Sequence, residues 1–146
     1  MKSTRLSKET ILDLATAERN FPDFRVGDTI SVASKVKEGA KERLQSFEGE
    51  VIDSHKNGIA STFTVRRIGA NSIGVERIYP YYSPNIAEIT FIKRGRVRRA
   101  KLSYLRHRVG RAGRVKELAI SKEETARIKG AGDRKSTRLN SSHGKL

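Results

Sequence analysis

The sequence predicts a mainly β protein: a small antiparallel barrel, preceded by a short helix and followed by a basic C-terminal extension. Two observations carry the barrel and a third carries the extension. Between residues 24 and 92 apolar side chains recur with period two, as half-buried strands require. Turn signals divide that stretch into short runs, a spacing that suits a small antiparallel barrel better than a parallel sheet. Residues 93–116 then hold eleven basic side chains and no acid, and the alternation stops.

The elements follow in order. Residues 1–20 contain a short amphipathic helix over 7–19. Ser7 can cap its first turn, Glu9 sits favourably at its positive end, and Ile11, Leu12, Leu14 and Ala15 form one apolar stripe before Pro22 ends it. The barrel occupies 21–92. Val26-Gly27-Asp28 is a turn, and residues 29–36 form a strand with Ile30, Val32 and Val36 on one face. A polar loop over 37–40 leads to a second strand over 43–55, where Phe47, Gly49 and Val51 alternate. Gly49 there signals a bend or bulge. Asn57-Gly58 marks a tight hairpin, with both residues tolerant of positive φ. Strands over 61–68 and 75–79 flank a tip at 69–74. Pro80 and Pro84 bracket a turn, and 86–92 is the last strand. In the extension, 93–117, residues 98–106 are compatible with a helical turn or an irregular strand, with Leu102 and Leu105 as anchors. Residues 118–132 are a polar tail with a helix over 121–129.

The charge is concentrated. The 146 residues carry 31 Lys and Arg against 16 Asp and Glu, a formal net charge of +15, yet residues 1–92 are almost neutral. The excess lies in Lys93, Arg94, Arg96, Arg98, Arg99, Lys101, Arg106, Arg108, Arg111, Arg114 and Lys116. Such a run requires a polyanion, and nucleic acid is the first candidate. Arginine predominates, and its planar fork pairs with phosphate and stacks on splayed bases. Glycines 95, 110 and 113 permit close backbone approach. Tyr104 fits either core packing or base stacking. Arg43, Lys56, Arg66, Arg67 and Arg77 are possible further contacts. Glu48 and Glu76 read as ion-pair partners of nearby arginines.

Several classes are excluded or weak. The absence of cysteine removes disulfides and thiolate chemistry and fits a cytoplasmic protein. The first twenty residues have no secretory core, and Glu9, Asp13 and Glu18 are unlike an organellar transit peptide. No apolar run suits a membrane. His55, His107 and His143 lack metal-ligand spacing, so neither metal nor cofactor is expected. Asp53-Ser54-His55 holds the letters of a triad on consecutive strand positions that face opposite ways. Gly110 to Gly113 lacks the context of a phosphate-binding loop. Neither an enzyme nor a small-molecule substrate is indicated. A peptide-binding adaptor is weak too, with no Trp and few clustered aromatics apart from Tyr79, Tyr81 and Tyr82.

Ordered blocks identify a family. They include Phe24-Arg25-Val26-Gly27-Asp28-Thr29-Ile30, Gln45-Ser46-Phe47-Glu48-Gly49-Glu50-Val51-Ile52 and Phe63-Thr64-Val65-Arg66-Arg67-Ile68. Gly74-Val75-Glu76-Arg77-Ile78-Tyr79-Pro80 and Arg94-Gly95-Arg96-Val97-Arg98-Arg99-Ala100-Lys101-Leu102 follow. Over residues 20–117 the chain resembles the L-nineteen family of bacterial large-subunit ribosomal proteins. The resemblance implies an SH3-like barrel bound to large-subunit ribosomal RNA at the interface between subunits. There it would help form a bridge to small-subunit RNA beside neighbouring large-subunit proteins, with no catalytic activity. The alternative from another class is a free regulatory module that binds RNA or DNA. Residues 133–146 resemble the conceptual translation of a sequencing adapter and are expected to be foreign.

Overall fold

A computed structural model describes residues 16, 19–108 and 110–130. The helix expected over 7–19 falls outside this description apart from Thr16 and Arg19, and the whole of 133–146 lies outside it.

Five strands form one antiparallel sheet: β1 (Thr29–Glu38), β2 (Lys41–His55), β3 (Thr62–Ile68), β4 (Gly74–Pro80) and β5 (Ile86–Lys93), in the order β4-β3-β2-β1-β5. Strands β1, β2 and β3 coincide with runs of period-two apolar residues, whereas β4 buries Tyr79 alone and β5 breaks the alternation between Ile86 and Ile89. Ile30 and Val32, Phe47 and Val51, Phe63 and Val65, Tyr79, and Ile86 and Ile89 turn one way and make the main core. Phe21, Phe24, Val26 and Tyr81 pack against it.

The mainly β, antiparallel architecture is as expected, but the sheet of the expected small barrel is not closed. No ladder joins the edge strands β4 and β5 among the described residues. The reason lies in the connection between them. Tyr81 donates its N–H to the carbonyl of Ser61 beside β3 (2.8 Å), and Asn85 accepts from Lys35 of β1 (2.8 Å). The chain is thus held first to one side and then to the other. Pro80, with no N–H to give, ends β4 as an edge.

Three local expectations change as well. The loop expected at 37–40 narrows to Gly39 and Ala40, since β1 and β2 stay paired up to Glu38 and Lys41. The Asn57–Gly58 reversal is a wider loop in which Gly58 alone takes positive φ (50°). At Gly49 the constraint is proximity: a Cβ there would collide with the carbonyl of Arg66 on β3. The bulge instead comes three residues later, where the pairing jumps from Val51↔Val65 to Asp53↔Thr64 and leaves Ile52 without an opposite number.

That bulge prepares the rest of the fold. Ile52 is buried away from the main core, in a second cluster with Leu102 and Leu105, and its carbonyl accepts the N–H of Leu102 (2.9 Å). The segment that sequence left open resolves into a 3₁₀ turn, Ser103–His107, and a second follows at Gly110–Gly113. Leu102 and Leu105 are the anchors expected of them, each contributing about 1.5–3 kcal/mol by burial. The helix α1 (Lys122–Gly130) closes the described chain. The Ser121 hydroxyl accepts the N–H of Glu124 (3.2 Å) at its start, and Ile128 is its buried side chain.

Candidate nucleic-acid interface

The basic extension is a loop pinned at both ends, not a free tail. Arg96 donates its N–H to the carbonyl of Lys116 (2.7 Å) and Leu118 donates to Arg94 (2.9 Å), with Gly95 and Glu117 bridged antiparallel. These bonds close residues 97–115 into a loop. Its base is locked to the sheet where Gly95 meets the carbonyl of Gly27, leaving no room for a Cβ. Gly27 itself has φ +96°, so the Val26–Asp28 turn needs glycine for conformation as well as for contact.

Asp28 completes the lock. It is 1% exposed and accepts the N–H groups of Arg25 (2.9 Å) and Gly95 (3.2 Å). Burial pushes its carboxyl above the ordinary value, against the lowering effect of those two hydrogen bonds and of Arg94. Glu50, on β2, receives the N–H of Val115 (3.2 Å) and is likewise pushed up by burial.

The loop divides the eleven cations into two groups. Four are matched to acids. Lys93 lies 3.8 Å from Glu117, Arg94 lies 3.6 Å from Asp28 and 3.4 Å from Glu124, and Lys101 lies 3.6 Å from Asp53. Arg106 grips Glu76 through Nε and Nη2 at 3.0–3.1 Å. Arg94 is the extreme case: 7% exposed, with its guanidinium over the Phe91 ring, it acts as an internal strut.

The other seven form no ion pair among the described residues, and they share one surface. Two adjoining concavities, of about 470 and 550 Å³, have Arg96, Val97, Tyr104, Arg108 and Lys116 in common. The first adds Arg98 and Arg99, the second Arg111 and Arg114. All seven unpaired cations of the run therefore line one groove, and no acid lines it. The Tyr104 ring lies between its halves, with the guanidiniums of Arg99 and Arg108 at 5.3 and 4.7 Å from its centroid. A cleft lined by one sign of charge concentrates field and counter-ions.

The family described as ribosomal protein L19 matches residues 7–118 of this sequence. The chain belongs to that family. The large ribosomal subunit protein bL19 of Campylobacter jejuni strain RM1221 is 57% identical over 100 residues, spanning 68% of this chain and 85% of that protein. Its counterpart in Aliarcobacter butzleri is 54% identical over 102 residues, spanning 70% and 86%. That of Sulfurovum sp. is 56% identical over 100 residues, spanning 68% and 84%.

The L19 match takes in all eleven cations and ends before α1. Outside the loop, the further candidates separate in the same way. Arg43 pairs with Glu38 (2.6 Å) and Arg66 with Glu76 (2.8 Å), while Arg77 lies 4.8 Å over the Phe47 ring. Lys56 and Arg67 form no ion pair among the described residues; Arg67 joins Arg66, Lys93 and Arg114 around a further concavity on the sheet. Glu76, read from sequence as an arginine partner, holds two at once. Their hydrogen bonds, that of Arg106 foremost, keep its carboxyl below the ordinary value against the opposing effect of burial. Sequence reasoning missed the gathering of aromatics. Phe21, Phe24, Phe63, Tyr81 and Tyr82 line a concavity of about 450 Å³ beside His55 and Lys56. Phe21 and Tyr81 meet edge-on at 5.5 Å. These rings come from segments up to sixty residues apart, so no local pattern announces them.

Proposed function

We propose that this chain is a structural constituent of the large ribosomal subunit that binds large-subunit ribosomal RNA through the groove of seven unpaired cations. One observation carries the RNA reading: within an acid-free run, every cation that the fold does not match to a carboxylate lines one continuous surface. Membership of the L19 family, whose relatives are named as large-subunit proteins, supports the assembly. The same reading takes the five-stranded sheet as an SH3-like platform in the cytoplasmic ribosome. It sets the chain at the subunit interface, contributing to a bridge with small-subunit RNA beside neighbouring large-subunit proteins. It assigns the chain no catalysis.

Sedimentation tests this. Full-length protein is expected to travel with large subunits and to stay with them through a high-salt wash. With about seven phosphate contacts, affinity for isolated large-subunit RNA should drop by roughly 10³–10⁵ between about 50 and 200 mM salt. Release at moderate salt, with equal affinity for unrelated RNA and DNA, would instead identify a free regulatory module.

A further inference from the structure

Tyr104 is half-buried beside the second cluster, yet the two cations nearest its ring do not belong to that cluster. The guanidiniums of Arg99 and Arg108 lie 5.3 and 4.7 Å from the ring centroid, one from before the 3₁₀ turn and one from after it. They are therefore at most about 10 Å apart, and neither is ion-paired to a carboxylate among the described residues. Two long, flexible side chains gain nothing from each other at that spacing, so their convergence comes from what they share, the ring. The electron-rich face of the ring supplies the attraction, and it favours the planar, weakly hydrated guanidinium over an ammonium.

We infer that Tyr104 is a positioning residue that holds Arg99 and Arg108 as a paired site for phosphodiester groups, set in place before any strand arrives. The inference rests on the RNA-binding reading and adds to it a division of labour. The five other groove cations contribute charge, whereas these two contribute charge at a fixed spacing. Ordering side chains in advance removes an entropic cost of binding and leaves the number of phosphates contacted unchanged. The ring thus governs affinity, while the cations govern its salt dependence.

The test compares full-length wild type with Tyr104→Leu, Tyr104→Phe and the double variant Arg99→Lys/Arg108→Lys. Each is titrated with a large-subunit RNA fragment and with linear polyphosphate, which has phosphates but no bases. Loss of the ring or of the guanidinium planes should weaken binding of both polyanions roughly three- to tenfold, with the slope against salt unchanged. Tyr104→Phe should bind as wild type does, because the ring is kept. The inference is overturned if Tyr104→Leu binds polyphosphate like wild type, since the ring would then serve bases. It is also overturned if Tyr104→Phe is as weak as Tyr104→Leu, because the hydroxyl would then be the active part. Should Tyr104→Leu fail to fold, the lysine pair decides: wild-type affinity in that variant sinks the idea. Salt-insensitive or absent RNA binding by wild type would undo the ribosomal-RNA reading instead, and the polyphosphate arm would still read the role of Tyr104.

Discussion

Lys93, Arg94, Lys101 and Arg106 come from the same acid-free run as Arg96, Arg98, Arg99, Arg108, Arg111, Arg114 and Lys116, yet the fold uses the two groups in opposite ways. The first four are tied to Glu117, Asp28 and Glu124, Asp53, and Glu76, and so fasten the loop to the sheet and helix. The other seven face a groove that no acid lines. Positions two apart part company: Arg94 is buried and Arg96 exposed. A count of basic residues therefore overstates a binding surface wherever the fold brings distant carboxylates against it.

The largest effect should come from the groove. Changing Arg98, Arg99, Arg108 and Arg111 together to alanine removes four candidate phosphate contacts. Affinity for large-subunit RNA is expected to fall roughly 10³-fold at about 0.1 M salt, with a shallower salt slope. The melting temperature should hardly move, because none of the four is matched to an acid among the described residues. A matching loss of fold would erase the distinction between the two groups.

Arg94→Ala probes the opposite corner. It strands the buried Asp28 carboxylate, and urea unfolding should record a loss of about 3 kcal/mol. The figure sits at the low end for buried pairs because the other partner, Glu124, is half exposed. The RNA salt slope, measured where the variant is still folded, should be that of wild type. Gly95→Ala attacks the same junction without altering charge. Its Cβ has no space against the Gly27 carbonyl and Val115, so the expected cost is about 1–3 kcal/mol by the same unfolding measurement.

The smallest effect is a matter of sign. Glu76 ionises more easily in the fold than in the unfolded chain, so its contribution is present above the ordinary glutamate range. That contribution is lost as pH falls through the lowered value. Asp28 is raised, so its effect runs the other way: favourable below the ordinary aspartate range and lost as pH climbs through the raised value. Carbon-detected NMR titration of the two carboxyls should show Glu76 titrating below, and Asp28 above, their unfolded counterparts. Glu76→Gln should cost about 1–2 kcal/mol at neutral pH, since Arg106 is half exposed but Arg66 is largely buried, and progressively less as pH falls through the lowered Glu76 value.

Strands β1 to β3 were legible because each carries its own pattern, and β4 and β5 because turn residues bound them. Ile30 and Val32, or Phe63 and Val65, alternate whatever the rest of the chain does, and Leu102 and Leu105 could be picked out as the apolar anchors of a basic segment. What stayed hidden depends on distant partners. Nothing near Arg106 signals Glu76, thirty positions earlier, and nothing near Arg94 signals Asp28, separated from it by the sequence of all five strands. The bulge at Ile52 has no glycine to mark it, while Gly49, which looked like a bend, is there to let β3 pass close by. The shape of residues 103–107 was undecidable for a related reason. Its start is set by the hydrogen bond from Leu102 to the carbonyl that the bulge at Ile52 leaves free.

The backbone contact between Gly27 and Gly95 fixes more than a joint. Pinned there and tied again at residues 116–118, the loop is anchored at both ends by the fold itself. If RNA docks on it as proposed, ends fixed in advance move part of the entropy of ordering from the polypeptide to the nucleic acid. In an assembling particle, such a component imposes a path on its partner instead of moulding itself to one.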